Sequence, residues 1–479
     1  MTKRNSIIPN AMFMLASDVS MRAATFAIYA MVSRMLGARE FGQLAIAFAL
    51  FYLFRSLAAA GVKVLLVREV ARRPDESGKY LTRALMFVVP TSIAGSLLMV
   101  ASGFLLRYDA DTLAVTIAIA PAVFGAGLSA VWEGMLQARE RMRLIAYATV
   151  PASVALIVCS YFLLAAGGSV VGVTRVMSAT FLTIAAVQGI LVFRYVAWPR
   201  LAWEPSQALA LGRKALTFLG IDLVIAIWGG VGVLVLSSFV DEAAAGLYSA
   251  AVQLWVPAKL AIDNVAISFF PAMCRESARR LDTLRRLNGD LIELLLALSI
   301  PSAIGLSVIA ESALETVYGS DEFAAAALPL RFIAWSLIMS SLTTALGKVL
   351  LAAGRETSTL RIVSVNFAVE LSLALALTPL WGIGGAAAAT ALAASVNVVQ
   401  HYILVAKMIG SGSLARRALK PLAASAAMAA LLLALEGSPL AILIVSGALA
   451  YTFVIGALSY WPSGSFEHLR TRYAYLRGD

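Results

Sequence analysis

The chain reads as an all-α integral membrane protein of about fourteen transmembrane helices, and three observations predict it. Of its 479 residues, 61% are apolar and only 14% are charged. Apolar stretches of about 20 residues, the length a helix needs to cross the hydrocarbon layer, recur from one end to the other. These stretches are continuous rather than alternating apolar with polar, which excludes the short strands of a membrane barrel.

The predicted spans run at 8–32, 42–67, 83–106, 113–137, 145–167 and 172–194, then at 214–238, 245–273, 289–311, 324–350, 361–380 and 384–407. Two more follow, at 418–436 and 438–461. Asp18 and Arg22 would sit badly in the apolar stretch of a cleavable signal, so the first span is expected to be retained as a helix. The net charge of +11 is distributed unevenly. Twenty-eight Lys and Arg residues fall on the N-terminus, the even-numbered connections and the C-terminus, against four on the odd-numbered connections. Positive loops stay inside, so both termini are expected to be cytoplasmic. The same asymmetry accounts for the basic excess without a nucleic-acid partner. The outer connections are short, two of them are acidic at Asp241-Glu242 and Asp321-Glu322, and they leave no room for an external domain. Cys159 and Cys274 are far apart in sequence, offer neither a disulfide framework nor a metal cluster, and read as packing residues.

The halves repeat one another. RMLGAREFG (34–42) and REVARR (68–73) flank the second span, as AGLYSAA (245–251) and RESARR (275–280) flank the eighth. Pro90 in the third span matches Pro301 in the ninth, MLQARE at Met135 matches LLAAGRE at Leu350, and Gly172 with Gln188 match Gly384 with Gln400. An ordered series of this kind indicates an internal duplication. Six spans per unit is an even number, so the two halves share one orientation, as in transporters that rock two bundles around a midplane cavity. The expected organisation is therefore a six-helix lobe over 1–200, a cytoplasmic linker over 201–212, a second six-helix lobe over 213–410, and two additional helices with a basic cytoplasmic tail over 411–479.

RMLGAREFG, AGLYSAA and GIGGAAAATALA (382–393) resemble the polysaccharide-exporter branch of the multidrug/oligosaccharidyl-lipid/polysaccharide (MOP) superfamily, whose members include the O-antigen or Wzx-type flippases. The resemblance covers roughly residues 8–410. It implies a V-shaped pair of six-helix lobes and a bacterial inner-membrane flippase that moves undecaprenyl-diphosphate-linked repeat units by alternating access. Arg22 and a position near Arg55 match cavity arginines of the related lipid II flippases, but the chain departs from that branch after Arg34, which counts against a peptidoglycan substrate. Membrane lipids, the lipid-linked glycan, and a polysaccharide polymerase with its glycosyltransferases are the partners this implies.

Charges inside hydrocarbon cost several kcal/mol unless they face water or a partner, so they are the candidate site. Arg22 lies one turn after Asp18, where the two could pair or open onto a cavity. Arg55 has no charge three or four residues away and is expected to face a cavity. Lys63 and Lys348 are near the cytoplasmic ends of their spans, where snorkelling and substrate binding compete as readings. Lys259 and Asp263 repeat the four-residue spacing, and Arg331 falls near the outer interface as an anchor. A diphosphate is matched by the planar fork of Arg and the point charge of Lys, so Arg22, Arg55, Lys63, Lys259 and Lys348 are the expected substrate-binding set. The acids Asp18, Asp222, Asp263 and Glu370, together with Glu133, are candidates to carry H⁺ or Na⁺ in coupling, with helix-to-helix hydrogen bonding as the plainer reading of each.

No cofactor is implied. The alternatives are a lipid II flippase, a cation-coupled multidrug antiporter, which a cationic midplane would disfavour, and a membrane-embedded glycan polymerase or ligase. The last is an enzyme that would need catalytic groups outside, whereas His401 and His468 fall at or near the cytoplasmic side. Neither HExxH nor a glycine-rich phosphate loop is present. If the charge asymmetry sets the topology, cysteines placed at Ala244 and Ser320 in a cysteine-free background will react with an impermeant thiol reagent added outside. One at Ser277 will be protected in intact cells, and the reverse pattern would overturn the map.

Overall fold

A computed structural model describes residues 7–59, 61–199, 205–277, 281–410 and 414–460, and among these the chain is helical with no strand. Hydrocarbon offers no water to backbone amides, and a helix satisfies them within one segment. The helices are α1 (Ile7–Leu36), α2 (Ala38–Ala59), α3 (Val62–Arg72), α4 (Ser77–Leu105), α5 (Ala110–Ala138), α6 (Met142–Ala165), α7 (Val170–Tyr195) and α8 (Pro205–Phe239). They continue as α9 (Glu242–Ser277), α10 (Leu281–Val308), the short α11 (Ala310–Tyr318), α12 (Ala327–Ala352), α13 (Glu356–Ile409), α14 (Leu414–Ala434) and α15 (Leu440–Tyr460).

Each predicted span falls on one of these helices, the second on α2 with α3 and the eleventh and twelfth together on α13. Among the described residues, ten helices are long and apolar enough to cross a membrane. The difference from fourteen has three sources. The long α13 counts once although it turns at Gly382 (φ 56°). Of α8, the apolar stretch Gly229–Phe239 is too short to be counted. In α1 and α9 the charged pairs Asp18 with Arg22 and Lys259 with Asp263 lower the hydropathy.

The chain divides into two compact units, Met1–Ser249 and Ala250–Asp479. In the first, α5 is central and packs on α2, α3, α4 and α7, while α8 lies against α2, α3 and α4. In the second, α12 packs on α10 and α13, and the hairpin of α14 and α15 lies along α10. Counterparts in the repeat therefore have counterpart neighbours: α4, α5 and α7 in one unit, α10, α12 and α13 in the other. By contact α8 groups with the first unit, although in the repeat it opens the second half.

Two interruptions of the helices are repaired by side chains. At Gly61, in the left-handed region (φ 70°), α2 gives way to α3, so the Ala58 carbonyl loses its partner four residues on. The Thr91 hydroxyl on α4 donates to it at 3.1 Å. Pro301 has no N–H and leaves the Ala297 carbonyl of α10 in the same position. There the Tyr451 hydroxyl of α15 donates, at 2.6 Å. The hairpin is fastened further by the Arg417–Glu293 ion pair at 3.6 Å and by Met428, Leu432 and Leu443 packed with Ile304 and Val308. At the turn into α5, burial would raise the Asp109 carboxyl. Hydrogen bonds from Thr112 and from Arg39 at 2.8 Å outweigh that, and the group lies below its ordinary range.

Close approach fixes two glycines. A Cβ on Gly42 of α2 would lie 1.7 Å from the Glu242 carbonyl oxygen, and one on Gly246 of α9 would lie 2.6 Å from that of Ala38. These are the glycines of GAREFG and AGLYSAA, so both motifs mark one helix crossing, where small residues let backbones meet. Neither cysteine is in a disulfide, and both are exposed rather than packed, which corrects the expectation for them. Their helices carry them on outward surfaces that a hydrophobic thiol suits. Tyr451→Phe will leave the Ala297 carbonyl unpaired and is expected to lower the melting temperature by roughly 2–5 °C. An unchanged melting temperature in detergent would show that another group takes the tyrosine's place.

Candidate functional site: charged and polar groups within the spans

Helix α2 is packed on almost every side. Phe41 through Phe48 are all buried, and between Phe41 and Ala58 only Tyr52 and Arg55 are exposed. Arg55 finds no carboxylate among the described residues; its guanidinium carbon lies 5.9 Å from the centre of the Tyr52 ring. It is thus satisfied locally only by an aromatic face, a weak partner for a solvated cation. On α1, Asp18 and Arg22 are both exposed, and no ion pair joins them despite the four-residue spacing. Arg22 lies two turns before Tyr29, which contacts Phe41 and Phe48 of α2 at 4.8 and 5.3 Å. Because α1 and α2 run antiparallel through the single-residue turn at Gly37, Arg22 and Arg55 come to a similar depth, within about one helical turn.

Lys63 does not snorkel. It sits on the first turn of α3, just past the break at Gly61, and its ammonium lies 2.5 Å from Glu133 of α5. Gly134 permits the approach, since a Cβ there would lie 3.1 Å from the Lys63 carbonyl oxygen. One pair thus joins a substrate-binding candidate and a coupling candidate.

In the second unit Lys259 and Asp263 form the ion pair their spacing predicts, and Thr344 of α12 donates to Asp263 at 3.3 Å. One turn further along α12, the Lys348 ammonium lies 5.3 Å from the centre of the Phe270 ring on α9. Lys259, Asp263, Thr344 and Lys348 therefore form a polar seam between α9 and α12. Arg331 pairs with Glu311 at 3.1 Å and donates to the Ser307 carbonyl at 3.2 Å, consistent with an anchor.

Glu370 is buried, and the Thr390 hydroxyl donates to it at 3.1 Å across the two arms of α13. One turn before it, Asn366 is fully buried, and neither its amide nitrogen nor its oxygen has a hydrogen-bond partner among the described residues; the Asn397 side-chain oxygen is likewise unpaired. A buried polar group without a partner is costly, which marks Asn366, one turn from Glu370, as a place where a small cation or water would be stabilised. The side chain of Asp222 lies outside the described residues. Among the described residues no three His, Cys, Asp or Glu side chains come together as a metal site.

Asn366, Asn397 and Tyr52 escape sequence reasoning because amides, hydroxyls and aromatics are common in membrane helices and carry no charge signal. The Lys63–Glu133 partnership is invisible locally because seventy residues separate its members. Lys63→Ala should strand Glu133 and lower stability by about 1–3 kcal/mol. The charge swap Lys63→Glu with Glu133→Lys should recover part of it, and a double-mutant cycle in thermal unfolding measures the coupling. Zero coupling would mean that the pair is incidental.

Known proteins share this architecture. A curated relative is the probable low-salt glycan biosynthesis flippase Agl15 of Haloferax volcanii, 28% identical over 170 residues; the match spans 35% of this chain and 36% of that protein's length. Among solved structures the fold is similar to lipid II flippase MurJ in an inward closed conformation, with a TM-score of 0.77 at 16% identity, over 94% of this chain and 99% of MurJ. It is also similar to an inward-facing multidrug resistance MATE family transporter of the MOP superfamily, with a TM-score of 0.70 at 14% identity, over 82% of this chain and 96% of that one. These relatives are flippases and transporters, and the all-helical architecture expected from the sequence is theirs. A family model described as polysaccharide biosynthesis protein matches residues 7–276, more than half of the chain, and the chain belongs to that family.

Proposed function

We propose that the protein is a flippase that carries an undecaprenyl-diphosphate-linked oligosaccharide from the cytoplasmic to the outer leaflet of a bacterial inner membrane, with both termini cytoplasmic. The observation that carries this reading is Arg55: a guanidinium without a carboxylate partner among the described residues, exposed near the middle of the predicted 42–67 span on an α2 where between Phe41 and Ala58 only Tyr52 is exposed beside it. Such a group is tolerable in hydrocarbon only where water or an anion reaches it. A diphosphate supplies the anion, and the planar fork of Arg binds two of its oxygens at once. Arg22, exposed at similar depth on α1, doubles the positive charge. Lys63, Lys259 and Lys348 are secondary contacts, because Lys63 and Lys259 already hold carboxylates and Lys348 lies over an aromatic ring.

The polyprenyl tail needs apolar surface instead. In the second unit a groove of about 260 Å³ runs between Leu296, Ile300, Ile338 and Leu342 on one side and Leu414, Ala418 and Leu422 of α14 on the other. It suits an isoprenoid chain while the headgroup crosses. The parallel repeat supports rocking of two lobes as the transport step. Glu370, with Thr390 beside it and Asn366 one turn away, is the favoured place for H⁺ or Na⁺ in coupling, because it is a carboxylate buried within the second unit. A polymerase and glycosyltransferases are the partners such a substrate calls for. The reaction moves a molecule and breaks no bond, so the protein is a transporter and not an enzyme. A multidrug antiporter fits less well, since cationic drugs would meet the bare arginines.

Arg22→Ala and Arg55→Ala should each abolish glycan export at normal expression, with the lipid-linked intermediate accumulating, and Arg→Lys at either site should rescue only in part. Normal export by both Ala variants would remove the arginines from the site.

A further inference from the structure

The exposed surface of α2 around Arg55 holds more than a cation. A row of aromatic rings leads to it: Tyr29 of α1 lies 4.8 Å from Phe41 and 5.3 Å from Phe48, and Phe48 stacks on Tyr52 at 6.0 Å and 20°. Phe51 braces Tyr52 from the side at 5.5 Å. Phe41, Phe48 and Phe51 are at most 3% exposed, whereas Tyr52, where the row reaches the surface, is 42% exposed. Tyr52 is thus a phenol held rigidly by core rings, open on the outside, with Arg55 one turn away. A tyrosine turned to acyl chains at this depth would leave its hydroxyl unsatisfied, so a wet, polar occupant is called for.

We propose that Tyr52 is the platform for the first sugar of the transported lipid, with Arg55 holding the adjoining diphosphate; this rests on the flippase reading above. The chemistry fits on three counts. A pyranose ring presents a face of axial C–H groups that lies flat on an aromatic ring, and its rim hydroxyls can bond a phenol. In a glycosyl diphosphate a single oxygen separates the sugar ring from phosphorus, so a site must hold ring and anion side by side. The 5.9 Å between the Arg55 guanidinium carbon and the Tyr52 ring centre matches that demand. The braces from Phe48 and Phe51 pre-order the phenol, so little side-chain freedom is lost on binding. Arg55 fixes the charge shared by all lipid diphosphates, and Tyr52 distinguishes those bearing a sugar.

The test uses the full-length protein in nanodiscs and two probes, undecaprenyl diphosphate and the same lipid carrying one N-acetylglucosamine. Wild type is expected to bind the sugar-bearing lipid more tightly. Tyr52→Leu, which keeps bulk but removes the ring, should weaken that lipid roughly three- to tenfold and leave bare undecaprenyl diphosphate unchanged. Tyr52→Phe should retain most of the preference, and Arg55→Ala should weaken both lipids. A melting curve close to wild type shows that each variant is folded. Equal weakening of both probes by Tyr52→Leu would overturn the proposal, because the ring would then serve only to support Arg55. No effect on either probe would overturn it as well. If wild type binds neither lipid, the flippase reading itself falls.

Discussion

Water is absent from the hydrocarbon layer, and every polar group placed there must find its partner in the protein. The rest of this structure follows from how that demand is met. Where α2 breaks at Gly61, Thr91 bonds the stranded Ala58 carbonyl. Where Pro301 removes an amide from α10, Tyr451 bonds the Ala297 carbonyl. Charges are treated alike, with Lys63 on Glu133 and Lys259 on Asp263. Against that background Arg55, like Arg22, has no carboxylate partner among the described residues, and a charge left so requires a wet surface. Its isolation carries meaning beside Lys63 and Lys259, whose charges are matched by carboxylates.

The same demand shapes the divided span. A continuous helix through residues 38–72 would need no outside help, yet the chain stops at Ala59, resumes at Val62, and recruits side chains from α4 and α5 to cover the gap. The consequence is a cationic side chain held on the first turn of a helix, two turns of sequence beyond the exposed Arg55. In the second unit the equivalent concentration of polarity is distributed differently. The seam between α9 and α12 is partly exposed and ion-paired, while Glu370 and the asparagines of α13 are withdrawn into the core. The two halves share packing but not chemistry, as expected if one grips an anion and the other senses a small cation.

The spans were legible in the sequence because an uninterrupted apolar window of helix length is hard to accommodate anywhere but in a bilayer. The crossing of GAREFG and AGLYSAA could not be read from either motif alone; it appears once Gly42 and Gly246 are seen to admit carbonyls where a Cβ would collide. Spacing is met by an ion pair at Lys259 and Asp263, whereas Asp18 and Arg22, for which pairing and a cavity were both open, share a helix face and yet stay apart. A four-residue interval brings side chains within reach, but neighbours on other helices decide whether they meet. Lys63 shows the converse, since its partner comes from a different helix. Uncharged groups such as Asn366 and Tyr52 gave no signal because only burial and neighbours set them apart from ordinary membrane-helix residues.

Gly37 and Gly382 each turn the chain between two long helices through a single residue in the left-handed region. A connection this short constrains biosynthesis. The first helix of such a pair cannot settle across the bilayer while its successor waits in water, because no slack links them. The two must leave the insertion machinery as a preformed hairpin, so that α1 with α2, and the two arms of α13, enter the membrane as units.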